Sequence, residues 1–265
     1  MPELPDVEVR RRYIERTSLD RPISKVSVLD GRVLGKGTTA ASLARGLKGV
    51  EFRAARRRGK YVLVGTDADS TLLMHFGMSG ELLLRRKGET KPRWSRVEFY
   101  FENGDCLHYV NMRLIGKIAL YPTTDESRIP DIAKLGPEPL ERSFTFQKFK
   151  AIVRAHDTTI HQLLMEQELI AGIGNIFSDE ITYQAGVRPD RKTGTLSEAD
   201  LRRCYDKMKW VLRRAIELDA DLDGHADEFL IPNRVRNGTC PGTDEKLVKK
   251  TIAGRSIYYC PSRQK

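Results

Sequence analysis

Leu163-Leu164-Met165-Glu166-Gln167-Glu168-Leu169-Ile170-Ala171-Gly172-Ile173-Gly174-Asn175-Ile176-Phe177-Ser178-Asp179-Glu180 is the stretch that decides how this chain is organised. Apolar residues recur on both sides of two glycines, so the run predicts a helix, a glycine-bearing turn and a second helix. Asn175 stands where an N-cap belongs. The free amides of such a helix start form an anion site suited to a DNA phosphate. Taken alone, the same pattern describes any helical hairpin, so the rest of the chain has to choose.

Working outward, helical periodicity runs from Phe144 to about Leu218, with Phe149, Ile152 and Val153 in one segment and Leu201, Cys204, Met208, Val211 and Ile216 in another. Upstream lies a proline-rich linker, Pro122 to Pro139. Before it, residues 20–120 carry short alternating runs, among them Lys25–Val28, Tyr61–Val64, Arg96–Phe101 and Lys117–Tyr121, divided by turn signals such as Asn103-Gly104. That pattern predicts an antiparallel sandwich or barrel. From Phe229 onward the chain returns to short strands and is basic, with eight Lys/Arg against two Asp/Glu. The expected fold is α+β and multidomain. An N-terminal helix plus an antiparallel β-sandwich fills 1–121, a linker 122–143, a helical domain 144–228 and a β-hairpin 229–265.

The 265 residues carry a net charge of +10, which favours a polyanionic partner because neutralised phosphates release counterions. No stretch reaches the ~18 apolar residues of a membrane span, and the acidic N-terminus does not read as a signal peptide. Four scattered cysteines make no disulfide framework. These features predict an intracellular, soluble protein with no membrane partner.

The chain opens Met1-Pro2-Glu3-Leu4-Pro5-Asp6-Val7-Glu8. With Met1 removed, Pro2 presents a secondary amine beside the Glu3 carboxylate, and such an amine can attack a sugar carbon and form an iminium. Leu4, Val7 and Ile14 have helical spacing, with Pro2 expected at the helix start. At the other end, Cys240-Pro-Gly-Thr243 and Cys260-Pro-Ser-Arg263 lay out two C-x2-C pairs whose second members are replaced. Tetrahedral zinc needs four ligands, so the tail is expected to keep its shape by packing. A Cys240–Cys260 disulfide suits the spacing but not a reducing compartment. Two further patterns fail on inspection. Gly31–Lys36 has the wrong spacing for a phosphate loop, and Leu230 stands where a calcium loop opening at Asp219 needs its glutamate. The five histidines show no ligand spacing.

Six motifs follow one another along the chain: Met-Pro-Glu-Leu-Pro, Gly59-Lys60-Tyr61, His75–Gly80, Leu135–Leu140, the Gly-Ile-Gly-Asn turn, and Gly254-Arg255-Ser-Ile-Tyr-Tyr-Cys260. In this order they resemble formamidopyrimidine-DNA glycosylase and endonuclease VIII, from end to end. The resemblance implies a helix-two-turn-helix domain behind the β-sandwich and a zinc-finger-like hairpin of the zincless kind. It implies a bifunctional DNA glycosylase and abasic-site lyase of base excision repair, acting as a monomer on damaged or abasic double-stranded DNA in the cytoplasm, on the nucleoid. Pro2 would be the Schiff-base nucleophile, Glu3 the proton shuttle, and Lys60 a phosphate contact that assists elimination. Asn175 and Arg255 would grip phosphates, Arg255 also serving the second elimination. Met78 and Arg113, with Ile115 in place of a wedge phenylalanine, would fill the hole left by a flipped base. β- then δ-elimination would need no metal or organic cofactor.

The departures bear on substrate. Besides Ile115, the sequence has His161 and Asp157 at positions often lysine in the purine-directed branch, and the acidic stretch Leu218–Asn237 is short where that branch carries a glycine-rich loop. Oxidised pyrimidines, ring-opened purines or hydantoins are therefore expected ahead of 8-oxoguanine. Two alternatives stay open: a catalytically inactive damaged-DNA-binding protein, and a lyase with little base excision.

Overall fold

The computed structural model describes residues 1–265. They form two compact units, one of Met1–Pro2 with Asp6–Lys134 and one of Glu3–Pro5 with Leu135–Lys265.

In the first unit, α1 (Leu4–Thr17) places Val7 and Ile14 in the core. Pro2 lies ahead of the helix rather than in it, and Pro5 takes the first-turn position where a missing N–H costs nothing. Around the core run β1 (Ile23–Val28), α2 (Ala40–Leu47), β2 (Phe52–Arg58), β3 (Tyr61–Thr66), β4 (Thr71–His75), β5 (Gly80–Arg85), β6 (Ser95–Phe101), β7 (Cys106–Asn111) and β8 (Lys117–Tyr121). They pair antiparallel into two four-stranded sheets, β1-β6-β7-β5 and β2-β3-β4-β8. Phe52 of one sheet meets Phe99 of the other edge-on, centroids 5.9 Å apart, as the inner faces of a sandwich do. The four strands read from alternation are present. β4 and β7 are buried almost throughout, so neither carries the alternating signal of a half-exposed strand. The proline-rich linker is partly ordered as α3 (Pro130–Ala133), tied to β8 by Lys117 Nζ and Asp131 Oδ1 at 2.7 Å.

The second unit holds α4 (Phe146–Arg154), α5 (Ile160–Met165), α6 (Asn175–Ala185) and α7 (Glu198–Glu217), then a hairpin of β9 (Val248–Ile252) and β10 (Arg255–Tyr259). Thr145, Thr159 and Ser197 cap α4, α5 and α7 through their hydroxyls. Phe149, Leu163, Ile173, Ile181, Met208 and Leu4 share one buried core. The acidic Leu218–Asn237 stretch is anchored, because Phe229 is fully buried and stacks on Trp210 with centroids 5.8 Å apart. In the tail, Cys240 and Cys260 lie at disulfide distance with their Cα atoms 5.6 Å apart, where unlinked thiols held by packing were expected. The segments flanking the hairpin bring the two residues to this separation, which lies within the range a disulfide spans. No helix is long and apolar enough to cross a membrane.

Candidate active site

In the second unit the glycine turn is a seat for the chain's own N-terminal residues. Glu3, only 2% exposed, accepts hydrogen bonds from the amides of Gly174 (2.6 Å), Ile176 (2.9 Å) and Phe177 (3.1 Å). The Leu4 amide donates to the Gly172 carbonyl at 2.9 Å. A Cβ on Gly174 would lie 2.5 Å from the Glu3 carboxylate, and one on Gly172, at φ +94°, 2.9 Å from Leu4. Only glycine permits this approach. The amides expected to await a phosphate are therefore occupied by Glu3, whose negative charge suits the positive end of α6. Gly174, not Asn175, is the N-cap, and it has no side chain to cap with. Asn175 is instead the first helical residue, and its Nδ2 donates to the Ser256 carbonyl at 2.9 Å. Ser256 adjoins Arg255, which opens β10 and is exposed. Glu3, Asn175 and Arg255 are thus linked through one helix start.

In the first unit, Pro2 is buried and Lys60 is half-buried in the two-residue turn between β2 and β3. His75 packs on Tyr61 with ring centroids 4.9 Å apart. Burial first, and then the Lys60 and Lys117 charges, push the His75 pKa down to about 4. A neutral imidazole thus stands near the Lys60 ammonium at physiological pH.

Met78, Arg113 and Ile115 sit on two loops clamped together in the same unit. Tyr109 donates to the His75 carbonyl (2.6 Å), Asn111 Nδ2 to the Phe76 carbonyl (3.1 Å), and the Arg113 amide to Ser79 Oγ (3.3 Å). Met78 and Ile115 are 40% and 48% exposed, and Met112, passed over in the sequence, is 51% exposed. An apolar residue between Asn111 and Arg113 in a loop was the signal. The sequence reading also missed Glu245, whose Oε2 lies 3.2 Å from both Cys240 Sγ and Cys260 Sγ and which accepts a hydrogen bond from Ser262.

The Glu3 seat and the exposed Arg255 lie within the second unit, and Pro2, Lys60 and the apolar loop residues within the first, in a chain whose relatives define its class, a DNA glycosylase. Residues 1–118 match the formamidopyrimidine-DNA glycosylase N-terminal domain, and residues 135–225 match its H2TH domain. The chain belongs to the formamidopyrimidine-DNA glycosylase family, whose members combine DNA glycosylase and abasic-site lyase activity. It is 34% identical over 275 residues to the formamidopyrimidine-DNA glycosylase of Pelotomaculum thermopropionicum, covering 100% of this chain and 99% of that one. The enzyme of Carboxydothermus hydrogenoformans is 32% identical, with both chains wholly covered. The Lactococcus lactis enzyme, solved non-covalently bound to DNA containing an abasic site, superposes with a TM-score of 0.89 at 28% identity over 99% of each chain. Another Lactococcus lactis structure, holding DNA with an oxidised pyrimidine, matches with the same TM-score at 26% identity, again over 99% of both chains.

Proposed function

We propose that this chain excises oxidised bases from double-stranded DNA through a Schiff base on Pro2, followed by β,δ-elimination. The observation that carries this reading is the Glu3 carboxylate fixed by three amides at the start of α6, immediately after Pro2 in the chain. With Met1 gone, the Pro2 nitrogen attacks C1′, the base leaves, and the resulting iminium acidifies the C2′ proton. Glu3, seated on those three amides, accepts and returns protons at the sugar. Loss of the 3′ phosphate and then the 5′ phosphate cuts the strand on both sides of the lesion and frees the amine by hydrolysis of the iminium. Lys60 and Arg255 stabilise the departing phosphates, Asn175 contacts the backbone through its second amide hydrogen, and Met78, Arg113 and Ile115 fill the vacated stack.

No step of this scheme calls for a metal or organic cofactor. The tail supports the zincless reading. The Thr243 hydroxyl turns to the Cys240 carbonyl (3.2 Å) and the Arg263 guanidinium lies 4.4 Å over the Tyr183 ring, so neither replaced position offers a ligand. A carboxylate and two sulfurs at bonding distance do not make the tetrahedral four-ligand set of structural zinc. The short, acidic Leu218–Asn237 stretch, with Ile115 in the wedge position, favours oxidised pyrimidines, ring-opened purines or hydantoins over 8-oxoguanine. In this reading the chain divides at 121, 143 and 228 into sandwich, linker, DNA-binding helices and hairpin, and works on the cytoplasmic nucleoid.

Borohydride trapping on duplexes carrying an abasic site, 8-oxoguanine, thymine glycol or a hydantoin tests the proposal. A covalent adduct on base lesions, mapped to Pro2 and lost when the N-terminus is extended, is the expected result. Adduct on the abasic site alone would leave a lyase, and DNA binding with no adduct would leave a damage-binding protein.

A further inference from the structure

The geometry points to Asp179 as a positioning residue that sets Arg255 against the start of α6, an inference that rests on the assignment of Arg255 to DNA above. β9 and β10 form a two-stranded sheet closed by a two-residue turn, with Arg255 opposite Ile252, Ser256 opposite Thr251 and Tyr258 opposite Lys249. In such a ladder the pair next to the turn exchanges hydrogen bonds and alternate pairs do not. The amide and carbonyl groups of Ser256 and Tyr258 therefore face away from β9, along an open edge.

Side chains of α6 close that edge. Asn175 Nδ2 donates to the Ser256 carbonyl at 2.9 Å, and the Tyr258 amide donates to Asp179 Oδ2 at 3.0 Å. The spacing explains why this works. Four helical residues rise about 6 Å and lie on one face, while two strand residues span about 6.8 Å. Asn175 and Asp179 thus act as two teeth of a ruler that fixes the register of β10. The second tooth is stiff: Asp179 is fully buried, and its Oδ2 also receives Arg234 through Nε (2.9 Å) and Nη2 (2.8 Å). Its Oδ1 faces His161 Nε2 at 3.2 Å, on α5. Arg255, one residue outside the ruler, projects from an edge held by the same helix that seats Glu3. Neither the DNA nor the reacting atoms need touch Asp179.

The test is a double-mutant cycle with Asp179→Asn and Arg255→Ala, reading DNA affinity and the fraction of δ-product, with circular dichroism and melting confirming the fold. Asp179→Asn alone is expected to weaken binding about tenfold, the scale of losing hydrogen bonds to a charged group, and to raise the β-only fraction. In the Arg255→Ala background it should add less than about twofold, because coupled residues do not act additively. Effects that multiply in the double variant, or an Asp179→Asn protein indistinguishable from wild type, would overturn the inference. Arg255→Ala without effect would instead overturn the role of Arg255. If Asp179→Asn does not fold, Arg234→Gln loosens the same carboxylate and enters the same cycle with the same expectations.

Discussion

At the scale of single residues, the glycine at 174 and the methionine at 112 carry the sharpest consequences. A Cβ at 174 would sit 2.5 Å from the Glu3 carboxylate, so Gly174→Ala must push Glu3 off its three amides. A displacement of an ångström at a reacting group costs on the order of a hundredfold in rate. Base excision by Gly174→Ala is expected to fall by about that much in single-turnover kinetics, with DNA affinity nearly retained. Met112 is a different case, since its 51% exposure serves no packing in the free protein. It stands with Met78 and Ile115 on loops fixed by Asn111 and Tyr109, where flexible aliphatic chains can fill an irregular gap in a base stack. Met112→Ala should slow excision of an intact damaged base severalfold more than cleavage of a pre-formed abasic site, where no base has to be turned out. Equal losses on the two substrates would remove Met112 from the wedge. Glu3 was legible as a candidate because its motif is local. Its seat was not, because the glycines that make room for it lie some 170 residues further on.

At the scale of elements, α6 is unusual in burying two consecutive acids. Asp179 is paired, whereas Glu180 accepts from Gln184 Nε2 and the Ile231 amide, each at 2.9 Å, and burial raises its pKa to about 7. A carboxyl raised in the folded state stabilises most below about pH 4.5, and that contribution is lost as pH rises through about 7. His75 has the opposite sign. Its pKa is lowered to about 4, so it favours folding above about 6.5 and loses that contribution as pH falls through 4. Each is worth about 3 kcal/mol at ~1.4 kcal/mol per pH unit, so the two slopes largely offset between about pH 4.5 and 6.5. Glu180→Gln removes one of them. Its melting temperature is expected to climb with pH over that range more steeply than the wild type's, and parallel profiles would assign the slope elsewhere. Periodicity disclosed α7 and the alternating strands because each has one wet face. It could not disclose β4 and β7, which have almost none, nor that the α6 amides would be filled from within the chain.

At the scale of the whole molecule, order along the chain carried more than any single pattern. The change from period two before Tyr121 to helical period after Phe144 marked a β-rich half and a helical half, and the structure has two four-stranded sheets up to Tyr121 and four helices, α4 to α7, after Phe144. The tail was harder, because spacing left Cys240 and Cys260 open between ligand remnants and a disulfide, and no spacing rule singles out Glu245, which the structure places beside both. Charge is legible from sequence at this scale and nowhere else, since +10 is a property of the sum. It sets the long-range attraction to DNA, whereas the proposed roles of Arg255, a phosphate contact, and Ile115, a filler of the base stack, are local. The two contributions separate in a salt titration. Each neutralised phosphate contributes about 0.9 to the slope of log affinity against log salt. Arg255→Ala should lower that slope by about one for lesion-bearing and undamaged duplexes alike, because a phosphate contact carries no base information. Ile115→Ala should leave the slope unchanged and weaken only the lesion-bearing duplex. A slope unaltered by Arg255→Ala would show that this arginine acts on something other than the DNA backbone.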